Sequence, residues 1–342
     1  MRSHLRGKRA GYGDLDVSEK QPVPRFHGSH ADSTLYSDPR HTGALDLYKL
    51  QGEIQVHINR RQSTLDLRRK LAAAATVVAA LAIGLTGAAQ AAGDTLDRSF
   101  DTDGRQRVDF STSDQAVKVL EYTNGKSSKL VVVGNVLEQT GGNVDSKYGL
   151  TRLNPDGSLD KSFDNDGKKV SNPTNALDSA VTGGLQRDGR IVVLGQRALQ
   201  SGAVQGFALV RYRLNGEIDR SFGTNGKTLG SFGDDSLTAD MAVTPDDRIL
   251  VLGATERGFV LFRYFANGRR DFSFGDQGRV TTPINDVALA TTLTVQPNGK
   301  FVAAGVTNIG EDLAVAVVRY NADGSLDRSF DDDGKALTPS CQ

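Results

Sequence analysis

The sequence has little of the two residue types that most often carry catalysis and metal binding, histidine and cysteine. All five histidines lie within the first sixty of its 342 residues, and the single cysteine is Cys341. One cysteine forms no internal disulfide, so stability has to come from a packed core. Beyond residue 60 there is no histidine for a Ser-His or Cys-His pair or for an ordinary zinc site. These absences predict that the protein is not an enzyme and has no catalytic residues.

An excess charge of one sign is also missing, because 41 basic residues balance 41 acidic ones. The balance hides two unlike parts. Residues 1–70 carry 13 basic and 8 acidic side chains, which leaves the rest of the chain acidic by five. A mildly acidic body does not attract a phosphate backbone, so we expect no nucleic-acid partner.

Residues 1–66 mix charge, proline and glycine without a sustained helical or strand period, which predicts a disordered N-terminal extension. Residues 67–92 have the order of a secretory signal peptide. A basic stretch at 68–70 precedes an apolar run, and the Ala-Gln-Ala of residues 89–91 fits a cleavage site. The pattern predicts a signal-peptide helix and a secreted, periplasmic or cell-surface protein.

The position of this signal peptide leaves two questions open. The apolar run approaches the length of a membrane span, so the segment is either cleaved or kept as an anchor. A signal peptide normally stands at the N-terminus, whereas this one begins well inside the chain. Translation from a start downstream of Met1 explains the position, and a cytoplasmic tail ahead of an anchor is the alternative.

A sixteen-residue block dominates residues 93–342, which we interpret as one repeat domain. It recurs four times without insertion, after a truncated copy at residues 96–104. Its recurrence at steps of 52 to 63 residues indicates a repeat architecture. Each copy has Arg, then Asp eight positions later, then Ser and Phe, and a closing Gly. The shared Arg, Asp and Phe are Arg152, Asp160 and Phe163; Arg211, Asp219 and Phe222; Arg263, Asp271 and Phe274; Arg319, Asp327 and Phe330.

The spacing within the block suggests a structural role for these residues. Eight positions that span a hairpin turn let the Asp fold back against the Arg, and recurrence in every unit favours an ion pair over a catalytic group. A Phe in every unit is expected to pack between units.

Short apolar stretches separated by Asn-Gly or Asp-Gly pairs fill the rest of each unit, as is typical of β-hairpins. In the second unit we predict strands at residues 168–170, 180–185, 191–195 and 207–212. Four antiparallel strands per unit describe a propeller blade. The sequence therefore predicts an all-β, beta-propeller-like array of four-stranded repeat units, with four units and a partial N-terminal block.

The blocks resemble the delta-60 repeat family of bacterial beta-propeller proteins. The family signature, Arg-Tyr-x-x-x-Gly-x-x-Asp-x-Ser-Phe-x-x-x-Gly, is met in full at residues 319–334, whereas Leu153 replaces the Tyr in the first full copy. The resemblance runs from residue 94 to about residue 337. It implies an exported repeat protein with a propeller-like fold, and it supplies no established activity or catalytic residues to carry over to this chain.

Acidic turns close three of the five blocks and suggest calcium loops, which are rich in carboxylates. The best candidate ligands are Asp97, Asp101 and Asp103. The copies at residues 223–226 and 275–278 lose carboxylates but keep the final glycine, so a turn requirement explains more copies than a metal does. We expect no cofactor, with calcium at the first block as the alternative.

One connection changes length between units. From Gly134, Gly195, Gly253 and Gly305 to the next block arginine the distances are 18, 16, 10 and 14 residues. We assign this difference to the connection between the third and fourth strands. Variable loops on one face of a propeller are where binding sites are often built, which predicts a binding scaffold for a protein or carbohydrate ligand.

The alternative function is an exported propeller-type hydrolase or dehydrogenase that uses acidic residues and a bound metal. In either case we expect membrane contact only through an uncleaved signal segment.

The unequal ends of the array pose the question of closure. In a closed ring, one terminal strand completes the blade begun by the other end, which removes two open sheet edges. We therefore expect residues 105–110 and 335–338 to lie close together. An open array, or closure through a partner chain, is the alternative.

Overall fold

A computed structural model describes residues 96–339, apart from residues 111–112, 126, 141–142, 200–202, 234–235, 286–287 and 311. The predicted disordered extension and signal peptide lie outside the described residues. Within the described part, no helix is long and apolar enough to cross a membrane.

The described residues form four sheets, each made of four consecutive antiparallel strands. We number these sheets as blades 1 to 4. Blade 1 consists of β1 (Ser113–Asn124), β2 (Ser127–Thr140), β3 (Asn143–Leu153) and β4 (Lys168–Ser171). Blade 2 consists of β5 (Leu177–Leu185), β6 (Ile191–Ala198), β7 (Val204–Tyr212) and β8 (Lys227–Gly230).

Blade 3 consists of β9 (Leu237–Val243), β10 (Ile249–Thr255), β11 (Gly258–Tyr264) and β12 (Arg279–Thr282). Blade 4 consists of β13 (Ala288–Val295), β14 (Phe301–Ile309), β15 (Asp312–Tyr320) and β16 (Lys335–Pro339). One helical turn, α1 (Asp331–Gly334), precedes β16. The predicted all-β fold of four-stranded, propeller-like units is confirmed.

The division of the chain into blades differs by one strand from the sequence-based prediction. We assigned residues 168–170 to the start of the second unit, but β4 pairs with β3 and is the outer strand of blade 1. Each blade therefore begins after the short strand that follows a block. The other three predicted strands of that unit correspond to β5, β6 and β7.

The first strand of each blade lies innermost. β5 packs against β1 on one side and β9 on the other, and β9 in turn packs against β13. Each first strand carries one bulge, and a glycine in the second strand faces it. At Gly305 a Cβ would come within 2.1 Å of the Leu289 carbonyl oxygen, so only glycine allows this approach.

The core consists of three apolar clusters, one between each pair of consecutive blades. The middle blades are covered on both faces, so their second strands are buried without alternation. Val193 points toward blade 1 and Val192 toward blade 3, and both are fully buried. In β14 of blade 4 burial alternates instead, because only one face is covered.

The expected closure between blades 1 and 4 is not formed within the described residues. Residues 105–110 pack on blade 1, where Gln106 Nε2 donates to the Gly157 carbonyl at 2.8 Å and Lys168 Nζ donates to the Asp109 carbonyl at 3.0 Å. Strand β16 pairs with β15 at the far edge of blade 4. The described part of the chain is therefore an open array.

Candidate functional site

Each of the four full blocks folds into the same cluster of four side chains, and we call it the block cluster. In blade 2, Arg211 Nε donates to Asp219 Oδ2 at 2.9 Å, and Arg211 Nη2 donates to Ser221 Oγ at 3.1 Å. Ser221 Oγ donates to Asp219 Oδ1 at 2.8 Å. The guanidinium carbon lies 4.8 Å from the centre of the Phe222 ring, within cation–π distance.

The predicted arginine and aspartate are brought together in all four full blocks. The Arg Nε to Asp Oδ2 distance is 2.6 Å for Arg152 and Asp160, 2.7 Å for Arg263 and Asp271, and 2.5 Å for Arg319 and Asp327. The aspartates are all buried. The geometry arises because the backbone N–H of each Asp donates to the carbonyl of its own Arg, which closes the eight-residue turn.

A second cation contacts each aspartate, and the sequence analysis missed it. It stands at the start of the second strand, one residue before it in blades 2, 3 and 4 and as its third residue in blade 1. These residues are Lys129, Arg190, Arg248 and Lys300, with nitrogen-to-Oδ2 distances of 2.5, 3.2, 3.5 and 2.7 Å. The available signal was a basic residue at the same place in all four units.

These contacts lower the pKa of the block carboxyls. Burial by itself would raise the pKa of Asp160, but hydrogen bonds from Lys129, Ser162 and Arg152 outweigh it and hold the pKa well below the usual value. At Asp327 the bond from Lys300 is the largest influence, and it also lowers the pKa. The carboxylates are thus ionised acceptors, fixed by their neighbours.

The block cluster also joins each blade to the next. Arg211 Nη1 donates to the Ala266 carbonyl of blade 3 at 2.7 Å, and Arg263 Nη1 donates to the Ala322 carbonyl of blade 4 at 2.6 Å. The Phe222 ring packs on Gly268 of the next blade, where a Cβ would come within 2.7 Å of it. Arg, Asp and Phe therefore act in the same contact, which fixes one blade against its neighbour.

The three candidate metal ligands of the first block take part in turns. Asp97 Oδ1 accepts from the Ser99 N–H at 2.9 Å, and Asp103 Oδ1 accepts from the Arg105 N–H at 2.8 Å. The backbone N–H of Asp101 donates to the Asp156 carbonyl at 2.7 Å. Across the described residues no group of three acidic, histidine or cysteine side chains is placed to hold a metal ion.

A cleft of ≈ 380 Å³ opens where the turns after the first strands of blades 2, 3 and 4 converge. Its apolar walls and polar groups are Leu185, Gln186, Arg187, Val243, Thr244, Pro245, Asp247, Val295, Gln296 and Pro297. The turns of blades 2 and 3 are held together, because the Arg187 N–H donates to Asp247 Oδ1 at 2.7 Å and Gln186 Nε2 donates to the Ala266 carbonyl at 2.9 Å. Sequence reasoning missed this cleft because no motif marks it.

The length differences between units lie in the connection that we assigned, which is the hairpin between the second and third strands once β4 is counted with blade 1. The glycines used as starting points lie in the second strands and the block arginines in the third, so the variable part is the hairpin between the second and third strands. Its two strands pair over a longer stretch in blade 1, where pairing extends to Thr140 and Asn143, than in blade 3, where pairing ends at Thr255 and Gly258. Because the strands are antiparallel, these hairpins emerge at the end opposite to the cleft.

Three segments match the family model described as "Domain of unknown function (DUF5122) beta-propeller": residues 127–163, 186–222 and 296–330. Each segment begins at or just before the second strand of a blade and ends at the block phenylalanine. The matched unit is therefore the part that builds the contact to the next blade. Comparison with curated proteins gives no match.

Solved structures that resemble the chain share little sequence with it. The GH43_1 enzyme from Xanthomonas citri is 10% identical with a TM-score of 0.34, over 59% of this chain and 69% of that one. A hydrazine synthase from Kuenenia stuttgartiensis is 11% identical with a TM-score of 0.34, over 67% and 32%. A putative glycosidase from Bacteroides thetaiotaomicron is 12% identical with a TM-score of 0.33, over 66% and 74%. Such TM-scores assign no substrate and no active-site residue.

The prediction that the protein is not an enzyme is contradicted, because glycoside hydrolases and glycosidases recur among these structures. The exclusion relied on missing histidine and cysteine, whereas glycoside hydrolysis uses a pair of carboxylates. A scarcity of histidine therefore does not remove this class of chemistry. The repeat matches and the four sheets together establish the architecture. The chain is a β-propeller repeat protein.

Proposed function

We propose that this protein is an exported interaction module of the delta-60 repeat type, and that its binding site is the cleft between the turns of blades 2, 3 and 4. The observation that carries the proposal is the convergence of three blades on one concave site. The site is an open depression of ≈ 380 Å³, which suits a ligand that lies across the surface of the three turns.

The chemistry of the cleft supports a protein segment or a carbohydrate as partner. Half-buried Val243 and Val295 supply apolar wall, and the exposed Pro245 and Pro297 flank the opening. Arg187 and Asp247 provide charges of both signs; the Arg187 backbone N–H holds the carboxylate, and the Pro245 carbonyl accepts from Arg187 Nε. Groups that are fixed before binding lose little entropy when a ligand arrives.

Ligand selection followed by a charge reversal tests the site. Immobilised carbohydrates and a peptide library supply candidate ligands, and titration calorimetry measures their affinity for the full chain. Arg187→Glu should weaken binding about tenfold or more, because it places a carboxylate beside Asp247. Arg220→Glu makes the same charge change at an exposed block position and should leave the affinity unchanged. Equal loss in both variants, or in neither, would contradict the cleft as the site.

The variable hairpins are a second surface that a larger protein partner could reach. The paired strands of these hairpins extend to different lengths in different blades, which supports a role in recognition. A ligand that ignores Arg187→Glu but loses affinity when the blade 2 hairpin is shortened to the length of the blade 3 hairpin would place binding there.

Export is part of the proposal, supported by the basic, apolar and Ala-x-Ala succession of residues 67–92. Mass spectrometry of the culture medium and the cell fractions measures where the protein is and where it begins. We expect a mature N-terminus near Ala92 in the exported protein. Peptides from residues 1–60 on secreted protein would contradict this.

A further inference from the structure

The contact between consecutive blades has the same two sides each time, and we call it the seam. The leading side is the face of a blade that carries its block Arg and Phe. The receiving side is the opposite face of the next blade, with its turn glycine. On the leading side of blade 3, Leu250, Leu252, Phe259 and Leu261 are all completely buried against blade 4.

Blade 4 has a leading side that no described residue covers. Strand pairing aligns Val302, Val315 and Val317 of blade 4 with Leu250, Phe259 and Leu261 of blade 3. Val315 is 51% exposed, whereas Phe259 at the same place is 0% exposed. The block ring Phe330 is only half-buried, in contrast to Phe163, Phe222 and Phe274.

The polar half of this side is also incomplete. Arg211 Nη1 is held between Gln186 Oε1 at 3.0 Å and a carbonyl of the next blade. Arg319 makes neither bond within the described residues, although its Nε and Nη2 bonds are intact. Gln296, the counterpart of Gln186, has a buried Oε1 without a hydrogen-bond partner in the described part. Among the described residues, Arg319 thus lacks the carbonyl acceptor that the next blade supplies to Arg211, and Gln296 lacks the arginine donor that Gln186 has within blade 2.

Blade 1 has the complementary gap on its receiving side. Val119 is 56% exposed, whereas its counterpart Leu293 in blade 4 is 6% exposed. The truncated block occupies part of this side, because Phe100 lies on Gly157 and the Asp101 N–H donates to the Asp156 carbonyl. The matching bond in the next seam joins the Asp164 N–H to the Asn215 carbonyl. The truncated block is thus a partial substitute for a preceding blade.

The substitute lacks the arginine of a full block. Position 89 is Ala, eight residues before Asp97, and no described donor reaches the Pro155 carbonyl, which corresponds to Ala266. Residues 96–104 and 326–334 are nevertheless identical at eight of nine positions, differing only at Thr102 and Asp332. The last block therefore has the sequence that binds at this position on blade 1, together with the arginine that the truncated block lacks.

We propose that a second copy of this chain binds head to tail, with residues 326–334 of one copy replacing residues 96–104 on blade 1 of the other. The Val302, Val315 and Val317 face then packs on the face that contains Val119, and Arg319 reaches the Pro155 carbonyl. Two copies joined at both ends have eight blades, which is within the usual range for closed propellers. Closure also covers both exposed sheet faces.

Complementary variants of the full chain test this. Val315→Glu damages only the leading side and Val119→Glu only the receiving side, and both positions are more than half exposed, so the fold should tolerate them. Leu229→Glu, 49% exposed in blade 2, is the matched control. Sedimentation equilibrium measures association, and thermal melting checks that each variant is folded. We expect self-association of the unaltered chain and of the control, and at least about a tenfold loss in each single variant.

Mixing decides the direction of the contact. An equimolar mixture of the Val315→Glu and Val119→Glu chains retains one intact seam and should form a mixed pair, while neither chain pairs alone. Phe100→Ala should strengthen association, because it weakens the packing of residues 96–104 on blade 1, which the second copy has to displace. A monomeric unaltered chain would overturn the proposal and point to residues 1–95 of the same chain as the cover. Association that survives Val315→Glu, or a mixture that stays monomeric, would also overturn it.

Discussion

Replacing Asp219 by Ala is the most direct test of the block cluster as a structural device. Asp219 is 1% exposed and Arg211 4% exposed. The change removes the acceptor for Arg211 Nε at 2.9 Å and Nη2 at 2.8 Å, and for the Ser221 N–H and hydroxyl. It leaves a buried guanidinium without its counter-ion.

The cost follows from what Arg211 loses and keeps. Removing one partner of a buried ion pair costs about 3–5 kcal/mol. Arg211 Nη1 keeps Gln186 Oε1 at 3.0 Å and the Ala266 carbonyl at 2.7 Å, which places the change at the lower end. We expect the free energy of unfolding to fall by about 3 kcal/mol, which lowers Tm by roughly 6–12 °C for a domain of this size.

Thermal and urea unfolding measure the change, with Glu217→Ala as the control. Glu217 is exposed and lies 3.6 Å from Arg213, so its removal should cost less than about 0.5 kcal/mol. Adding Arg211→Met to Asp219→Ala should restore part of the loss, since it removes the orphaned charge. If Asp219→Ala melts no lower than Glu217→Ala, the ion pair does not hold the blades and the structural interpretation is refuted.

Two further predictions follow from buried hydroxyls and carboxyls. Tyr148→Phe should leave Tm unchanged or raise it, because the Tyr148 hydroxyl is buried and has no partner in the described part. Tyr212→Phe should cost about 1 kcal/mol, because it loses the 2.6 Å hydrogen bond between the Tyr212 hydroxyl and Ser171. Equal losses of Tm in the two variants would contradict this. Although burial raises them, the pKa values of Asp160, Asp219 and Asp271 are lowered overall by hydrogen bonds and nearby arginines. Their contribution to stability is therefore complete above the unfolded pKa of about 4 and is lost as the pH falls through the folded pKa. The urea concentration at the midpoint of unfolding should decline below about pH 4. A midpoint that stays constant there would count against the role of these carboxyls.

The repeat itself made much of the fold predictable. Because Arg and Asp keep one separation in four copies, their contact could be inferred without coordinates, and the Asn-Gly and Asp-Gly pairs marked the hairpins. The division into blades could not be inferred, because a cyclic pattern has no marked start. The four residues of β4 are too few to show which neighbouring strand they pair with.

The second cation and the cleft were beyond sequence reasoning for a different reason. Lys129 and Arg190 occupy one structural position, but a basic residue at the start of a strand is common and carries no signal of its partner. The cleft has the same difficulty, since Arg187 and Asp247 meet only because two blades lie side by side. Likewise, the sequence of residues 96–104 shows that they resemble a block that packs on the next blade, but not that they pack on blade 1 of the same chain.

An open array of blades implies that stability is transmitted mainly between neighbours, and one cavity variant tests this. Phe301 is 2% exposed and lies 5.4 Å from the Tyr320 ring and 5.9 Å from the Phe274 ring, in the cluster between blades 3 and 4. Phe301→Ala should cost about 3–5 kcal/mol and speed hydrogen exchange in blades 3 and 4. Exchange in β2 should stay unchanged at concentrations too low for association. The control is Phe272→Ala, since Phe272 is 63% exposed. Equal acceleration in β2 would show that all four blades unfold as one unit, and the nearest-neighbour description would be wrong.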